Sequence, residues 1–254
     1  MSDKSYLILR LHAPMASFGG VVLDNFGVTR NAPALSMVTG LFANALGWHR
    51  SEAQKHQDLQ SNLDFAVRME SPALPRHWRD FQTAELGAKD KHWTTSGIPA
   101  GRAGGANTYA APHLRYRDYL HDVSAALAVG LHNEAQAPTI DTLRQALLHP
   151  ARPLFIGRKA CLPSQPLFQS VIESQTAVDA LRCAPIPSEF ESEDGYHCYW
   201  AKSATRPNLP EQVKVHETAL SDQRDWANNQ HTGSRTVCEA RVSASWFKEA
   251  EPCL

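Results

Sequence analysis

The chain has 254 residues, 43% of them hydrophobic and 20% charged, with 25 basic and 26 acidic side chains giving a net charge of −1. That is enough chain to bury a sizeable core as one large domain or two small ones. It contains no apolar run near the ~18 residues that cross a bilayer, and its balance gives no support for a free-standing, non-specific nucleic-acid binder, which is usually basic. A local basic face stays open, because the sign of a patch is set by placement and not by the total. The start, MSDKSYLILRLHAP, lacks the long apolar stretch and cleavage site of a secretory signal. The expectation is a soluble, cytoplasmic protein with no membrane contact. Cys161, Cys183, Cys198, Cys238 and Cys253 are scattered and odd in number, which argues against a disulfide framework or a zinc ribbon.

Residues 6–11, YLILRL, read as a strand with Leu7, Leu9 and Leu11 on one face and Tyr6, Ile8 and Arg10 on the other, ending at Ala13-Pro14. A loop follows over residues 15–31. Ser36 is placed to cap a helix through SMVTGLFANALGW, where Val38, Leu41, Phe42, Ala45 and Leu46 recur at helical spacing and Gly47 stops it. After a polar stretch, residues 63–69 alternate as a second strand. A further strand is centred on residues 126–131. Thr139 then opens a helix with Ile140, Leu143, Ala146, Leu147 and Leu148 on its apolar side, ended by Pro150. The run Leu154-Phe155-Ile156 reads as the next strand, halted at Gly157. Two β-α-β units in succession predict an α+β, ferredoxin-like or RRM-type domain.

Between those units, residues 75–112 lose all periodicity in a tract rich in glycine, alanine and threonine, TTSGIPAGRAGGANTYAAP. A structureless stretch of that length is usually functional or disordered. The reading here is a long arm with a β-hairpin at its base. The C-terminal third is acidic and aromatic in SEFESEDGYHCYW, punctuated by prolines, and has a late strand in TVCEARVSASW. It reads as a smaller β-rich appendage, giving a division into residues 1–170 and 171–254.

No GxSxG, HExxH or P-loop signature is present, and GIPAGRAGG lacks the terminal Gly-Lys-Ser/Thr that holds phosphate and magnesium. Neither a catalytic set, a cofactor nor a metal is predicted. What clusters is arginine beside aromatic residues. HLRYRDYLH sets Arg115, Tyr116, Arg117, Tyr119 and His121 in a row. An extended backbone puts Arg115, Arg117 and Tyr119 on one face, whereas a helix pairs Arg115 with Tyr119. Guanidinium groups fork onto phosphate oxygens, and aromatic or arginine planes stack on unpaired bases. In PLFIGRKACLPSQPLF, Gly157 allows close backbone approach while Arg158 and Lys159 add charge at the same place.

The segments SYLILRLHAPMASFGG, SMVTGLFANALGW, FAVRME, DFQTA, YRDYLHDVSAALAVGL and HPARPLFIGRKACLPSQPLF, in this order, resemble the CasD family of type I-E CRISPR Cascade complexes, within the RAMP superfamily. The resemblance covers most of residues 5–170 and little beyond about residue 175. It implies an RRM-like domain with a long thumb hairpin, here residues 75–112, and a small C-terminal part. It implies a non-catalytic role in antiviral defence: capping the 5′ handle of the CRISPR RNA, with the thumb against neighbouring backbone subunits, the large PAM-reading subunit nearby, and target DNA met through the complex. The RNA contacts it implies are Arg10, Met15, Phe18, Arg30, Ser36, Gln82, Thr83, Arg115, Tyr116, Arg117, Gly157, Arg158 and Lys159. Arg117 matches an arginine of the family's WREYL-like segment, and Phe18 stands where relatives have tryptophan. The alternative is a metal-independent endoribonuclease that cuts CRISPR repeat RNA, with Tyr116, His113, His121 and Lys159 as candidate groups. A protein-only scaffold is a third reading.

Overall fold

The computed structural model describes residues 3–22, 25–70, 76–84, 92–93, 99–100, 113–203 and 205–248. In chain order the elements are β1 (Lys4–Ala16), β2 (Phe26–Gly27), α1 (Leu35–Ala45), α2 (Ala53–Asn62), β3 (Leu63–Met69), β4 (Arg76–Ala84), β5 (His92–Trp93), β6 (Pro99–Ala100) and β7 (His113–Leu131). There follow α3 (Ile140–Leu148), β8 (Phe168–Ser174), α4 (Ala177–Cys183), β9 (Tyr196–Ala201), β10 (His216–Leu220), β11 (Arg224–Asp225), β12 (Gln230–His231), β13 (Arg235–Val242) and α5 (Ala244–Lys248). One large sheet carries the order β10-β13-β9-β3-β7-β1-β8, with β2 and β4 also paired to β7. Every pairing in it is antiparallel except β2 with β7.

The alternation in β1 sorts its side chains onto two buried faces. Leu7, Leu9 and Leu11 enter one core with Val38, Leu41 and Phe42 of α1 and Leu143 and Leu147 of α3. Tyr6 and Ile8 enter a second core under α4 and α5, with Ala177, Leu181, Trp246 and Phe247. Small residues on β7, Ala126 and Ala128, keep that second layer thin enough for the helices to close down on it. At about 25 cal/mol per Å² of apolar area buried, two cores on one sheet supply most of the drive to fold.

Arg10 shares the second face, and there the structure corrects the sequence. It is 4% exposed and ion-paired with Glu70, with its other nitrogen donating to the Pro185 carbonyl at 2.8 Å. Arg68, fully buried, shares that carboxylate at 2.7 Å and donates to the carbonyls of Leu181 and Ala184 at 2.7 and 3.0 Å. Ser124 donates to Glu70 at 2.9 Å. Buried charge is tolerated when it is paired and its hydrogen bonds are filled. Here the network ties the turn after α4 to the sheet, so Arg10 is a structural cation and not an RNA contact.

Four other expectations change. β1 runs past Pro14 to Ala16. Ser36 lies inside α1, and the N-cap position is Ala34. The capping is done from far along the chain, where Asp222 accepts the Leu35 N–H on its carboxylate and the Ser36 N–H on its carbonyl, both at 3.0 Å. The polar stretch contains a helix, α2, which buries only His56, Leu59, Gln60 and Asn62 and so carries almost no apolar signal. Residues 154–156 form no strand. Ile156 is a fully buried plug held by its own loop, with its N–H donating to the Cys161 carbonyl at 2.7 Å. The strand that closes the second unit is β8, an edge strand paired with β1.

Thr139 does cap α3, accepting the Thr142 N–H at 3.3 Å. Gly47 follows α1 with a φ of +75°. The C-terminal strands join the same sheet, because β9 lies beside β3 with Ala66 opposite Trp200 and Met69 opposite His197. The sheet therefore continues without a break across residue 170. Cys161, Cys198 and Cys238 are free, buried thiols, while Cys183 is disulfide-bonded. Among the described residues no helix is long and apolar enough to cross a membrane, and no cluster of metal-ligating side chains occurs.

Candidate nucleic-acid interface

β7 is the rail on which the site is built. Its last third lies between β1 and β3, and its first part pairs with β4, from Arg76 opposite His121 to Ala84 opposite His113. Between the pairs Ala13–Val123 and Met15–His121 the strand passes through Asp122, whose φ is +49°. Aspartate tolerates that region better than most residues, and Pro14 on the facing strand has no N–H to offer there. Beyond this bend His121 and Leu120 still pair with β1, and Leu120 and Tyr119 still pack in the first core. From Asp118 back to His113 the strand becomes one side of an arm. The rest of the predicted arm, residue 75 and residues 85–91, 94–98 and 101–112, lies outside the described residues.

The extended alternative for HLRYRDYLH is the one adopted. Strand geometry puts Arg115, Arg117 and Tyr119 on one side and Tyr116 and Asp118 on the other. β2 runs parallel to this stretch, with Gly27 beside Arg117. Two arginine head groups pack directly on Gly27: a Cβ there would lie 2.6 Å from the Arg117 guanidinium and 2.9 Å from that of Arg158, so a larger residue would displace them. Arg158 arrives from the loop after Ile156. Its Nη1 donates to the Asp118 carbonyl at 2.9 Å, its Nη2 to the Gly27 carbonyl at 2.8 Å, and its guanidinium sits 4.8 Å over the Tyr119 ring.

The loop is held there by Gly157. Its φ is +85°, and a Cβ would stand 1.6 Å from the Ser17 carbonyl oxygen. No other residue allows the loop to dock on the end of β1, where the Ser17 N–H donates to the Ile156 carbonyl at 3.1 Å. Lys159, next in the chain, is exposed.

Arg115, Arg117 and Arg158 thus gather at one place, with Lys159 next to Arg158 in the chain. None makes an ion pair with a carboxylate among the described residues. Asp80, opposite Arg117 across the strand pair, accepts instead from Gln82 at 2.5 Å. Burial, and behind it the charges of Arg158 and Arg115, hold the Arg117 guanidinium below its ordinary value. A cluster of mutually repelling cations, moored through the Arg158 contacts to backbone carbonyls, is an anion site in charge and in hydrogen-bonding capacity.

The far side of the arm has a different character. Phe26 and Tyr116 stack at 4.8 Å with planes 9° apart, Phe81 leans on Tyr116 at 5.4 Å, and Arg79 forms a two-pronged pair with Asp118 at 2.6 and 3.0 Å. Phe81 is 54% and Phe26 38% exposed. Tyr116 is therefore turned away from Arg117 and Arg158.

The remaining candidates divide by burial. Phe18 is fully buried, with its backbone N–H on the Thr29 hydroxyl at 2.9 Å, so it has no ring face to offer a base. Ser36 is buried in α1, and Met15 packs half-buried on the first core. Arg30 donates to the Ser221 carbonyl at 2.8 Å and lines a separate cavity of about 600 Å³ with Tyr199 and Arg235. Gln82 and Thr83 are exposed on β4, with Gln82 opposite Arg115. Sequence reasoning missed Gly27 and the Phe26 stack. Only Phe26 carried a signal, as an aromatic in a glycine-rich loop.

A family model described as CRISPR-associated protein (Cas_Cas5) matches residues 6–238. The chain is 28% identical over 219 residues to the Escherichia coli (strain K12) protein named CRISPR system Cascade subunit CasD, an alignment covering 84% of this chain and 94% of that one. Among solved structures, a chain of one titled CRISPR RNA-guided surveillance complex superposes with a TM-score of 0.63 at 22% identity, covering 95% of this chain and 92% of that one. A crystal structure of a Cas protein gives 0.60 at 22% identity, covering 95% and 96%. At such identity the structural likeness speaks for the fold.

Proposed function

The chain belongs to the CRISPR-associated Cas5 family, and from that premise we propose that it is a non-catalytic subunit of a type I-E-like CRISPR Cascade complex that binds and caps the 5′ handle of the CRISPR RNA. The observation that carries this reading is the cluster of Arg115, Arg117 and Arg158 around Gly27 and Gly157, cationic and without carboxylate partners among the described residues. In a chain of net charge −1, three arginines meet where two backbone turns approach closely. A phosphodiester strand is the ligand class that uses both features. In this reading the strand order β3-β7-β1-β8 is the ferredoxin-like frame, and β4 with the first part of β7 is the base of the thumb. The exposed Phe26, Tyr116 and Phe81 face of the arm is then turned toward a neighbouring backbone subunit. The large PAM-reading subunit and target DNA are met through the assembled complex.

The endoribonuclease reading drafts Tyr116, His113, His121 and Lys159 around one phosphate. The His121 ring packs edge-on against Trp78 at 5.5 Å. Tyr116 instead lies on the opposite face of β7 from the arginine cluster, stacked on Phe26. That geometry favours holding RNA over cutting it, because a general base has to reach the proton it removes.

The test is co-expression with the neighbouring genes and a CRISPR array, followed by sequencing of the RNA that copurifies. Guide RNAs sharing one fixed 5′ end in a multi-subunit particle are expected, with loss of RNA in Arg117→Ala and Arg158→Ala. Repeat RNA cut by the purified chain alone would replace this account with the endonuclease.

A further inference from the structure

The space in front of the Gly157 loop has a second wall, and that wall comes from the C-terminal third. A cavity of about 330 Å³ opens between Gly19, Gly20 and Gly157 on one side and Arg224, Trp226 and His231 on the other. Arg158 lines it too, so the cavity continues from the arginine cluster. No Asp or Glu lines it, in a chain with 26 acidic side chains.

The wall is fixed in place. Gln60 of α2 accepts the Arg224 N–H and the Trp226 indole N–H, both at 3.1 Å, and donates to the Arg224 carbonyl at 3.0 Å. The Trp226 ring lies against Gly40 of α1. The head group of Arg224 sits 5.4 Å over the Trp226 ring and donates to the Asn229 carbonyl at 3.1 Å, so its charge meets no carboxylate among the described residues. Two buried nitrogens of this wall, Arg224 Nε and His231 Nδ1, have no hydrogen-bond partner among the described residues. Buried nitrogens are rarely left in that state, and both belong to side chains that line the cavity. Burial, then the charges of Arg224 and Arg30, hold His231 below its ordinary value, while the Gln223 backbone and Asp222 pull the other way.

We infer that this groove holds one backbone phosphate of the bound RNA strand, with Arg224 and His231 as its ligands from the C-terminal wall and Gly19, Gly20 and Gly157 lining the opposite side. The inference rests on the RNA reading above and adds to it a phosphate site from a part of the chain that the sequence left without a role. An anion at this place supplies the acceptor the two nitrogens lack and offsets the Arg224 and Arg30 charges that disfavour a proton on His231.

The experiment measures binding of a short single-stranded RNA to the full chain across a salt series, alongside NMR titration of the His231 imidazole with that RNA and with inorganic phosphate. Arg224→Gln is expected to weaken RNA binding about tenfold and to lower the log–log salt slope by about 0.7, the value for one lost phosphate on a single strand. In the wild-type protein, bound RNA is expected to move the His231 titration to higher pH. His231→Gln identifies the resonance and serves as a second variant should Arg224→Gln fold poorly. Wild-type RNA binding with an unchanged His231 titration and an unchanged slope in both variants would overturn the site while leaving the RNA reading intact. A His231 shift with inorganic phosphate and no RNA binding by the wild-type chain would overturn the RNA assignment of the groove together with the reading it rests on.

Discussion

At the scale of single residues, Gly157 and Arg158 divide the work between shape and charge. Gly157→Ala forces a side chain into the left-handed region and into the Ser17 carbonyl, so it is expected to cost at least 1–3 kcal/mol. A shifted denaturant midpoint, in a protein that has also lost RNA, is the outcome to look for. Arg158→Lys preserves the charge and loses the two-carbonyl bridge to Asp118 and Gly27. A lysine behaves as a point charge and cannot reproduce that fork, so its RNA affinity is expected to fall nearer to the alanine variant than to the wild type. His231 gives a pH signature of its own. Its folded value lies below the ordinary 6.5, so the unfolded chain takes up the proton first. Its contribution is intact above 6.5 and is lost as pH falls below that value. Melting temperatures between pH 7.5 and about 5 are expected to fall less steeply in His231→Gln than in the wild type.

At the scale of elements, Glu70 is the point on which two strands and a turn depend. It is fully buried and accepts from Arg10, Arg68 and Ser124. Glu70→Gln leaves two buried guanidinium groups without their counter-charge, an arrangement expected to cost about 3–5 kcal/mol. Urea unfolding monitored by tryptophan fluorescence would measure it. The same element shows what the sequence discloses and what it hides. The alternation of residues 6–11 placed Arg10 opposite the leucines correctly. A two-residue period, however, cannot say whether the second face is solvent or a second core, and that is decided by α4 and α5, more than 160 residues away. Capping is legible where it is local, as with Thr139, and illegible where a distant Asp222 does it. The strand at residues 154–156 was misread because an apolar triplet before glycine looks alike as a strand end and as a buried loop plug. The arginines of HLRYRDYLH were legible as a charge cluster, and their convergence with Arg158 and Gly27 required the tertiary fold.

At the scale of the whole molecule, the C-terminal third is part of the sheet. β9 pairs with β3, β13 with β9, and β10 with β13. A chain cut after residue 175 would strip the cover from Tyr6, Ile8, Ala126 and Ala128 and leave β3 as an open edge. Exposed edges and large apolar faces drive aggregation. Residues 1–175 expressed alone are therefore expected to be insoluble, and a well-dispersed, cooperatively melting fragment would instead establish residue 170 as a true domain boundary. The family match runs on to residue 238, so the likeness does not stop near residue 175, where the sequence alone places its end. The later strands carry it in a pattern of alternation that is hard to recognise by eye, because their sequences need only cover the sheet.

β7 belongs at once to the most deeply buried part of the sheet and to the exposed arm. It is a cantilever: residues 125–129 are clamped between β1 and β3, β1 keeps hold as far as Leu120, and residues 113–119 run on with β4 and the two residues of β2 beside them. A load applied to the free end by a neighbouring molecule is carried to Asp118 and Tyr119, the positions to which Arg158 is moored. Under the proposed function, grip on the RNA and grip on the neighbour become one mechanical problem, and slack on either side loosens both.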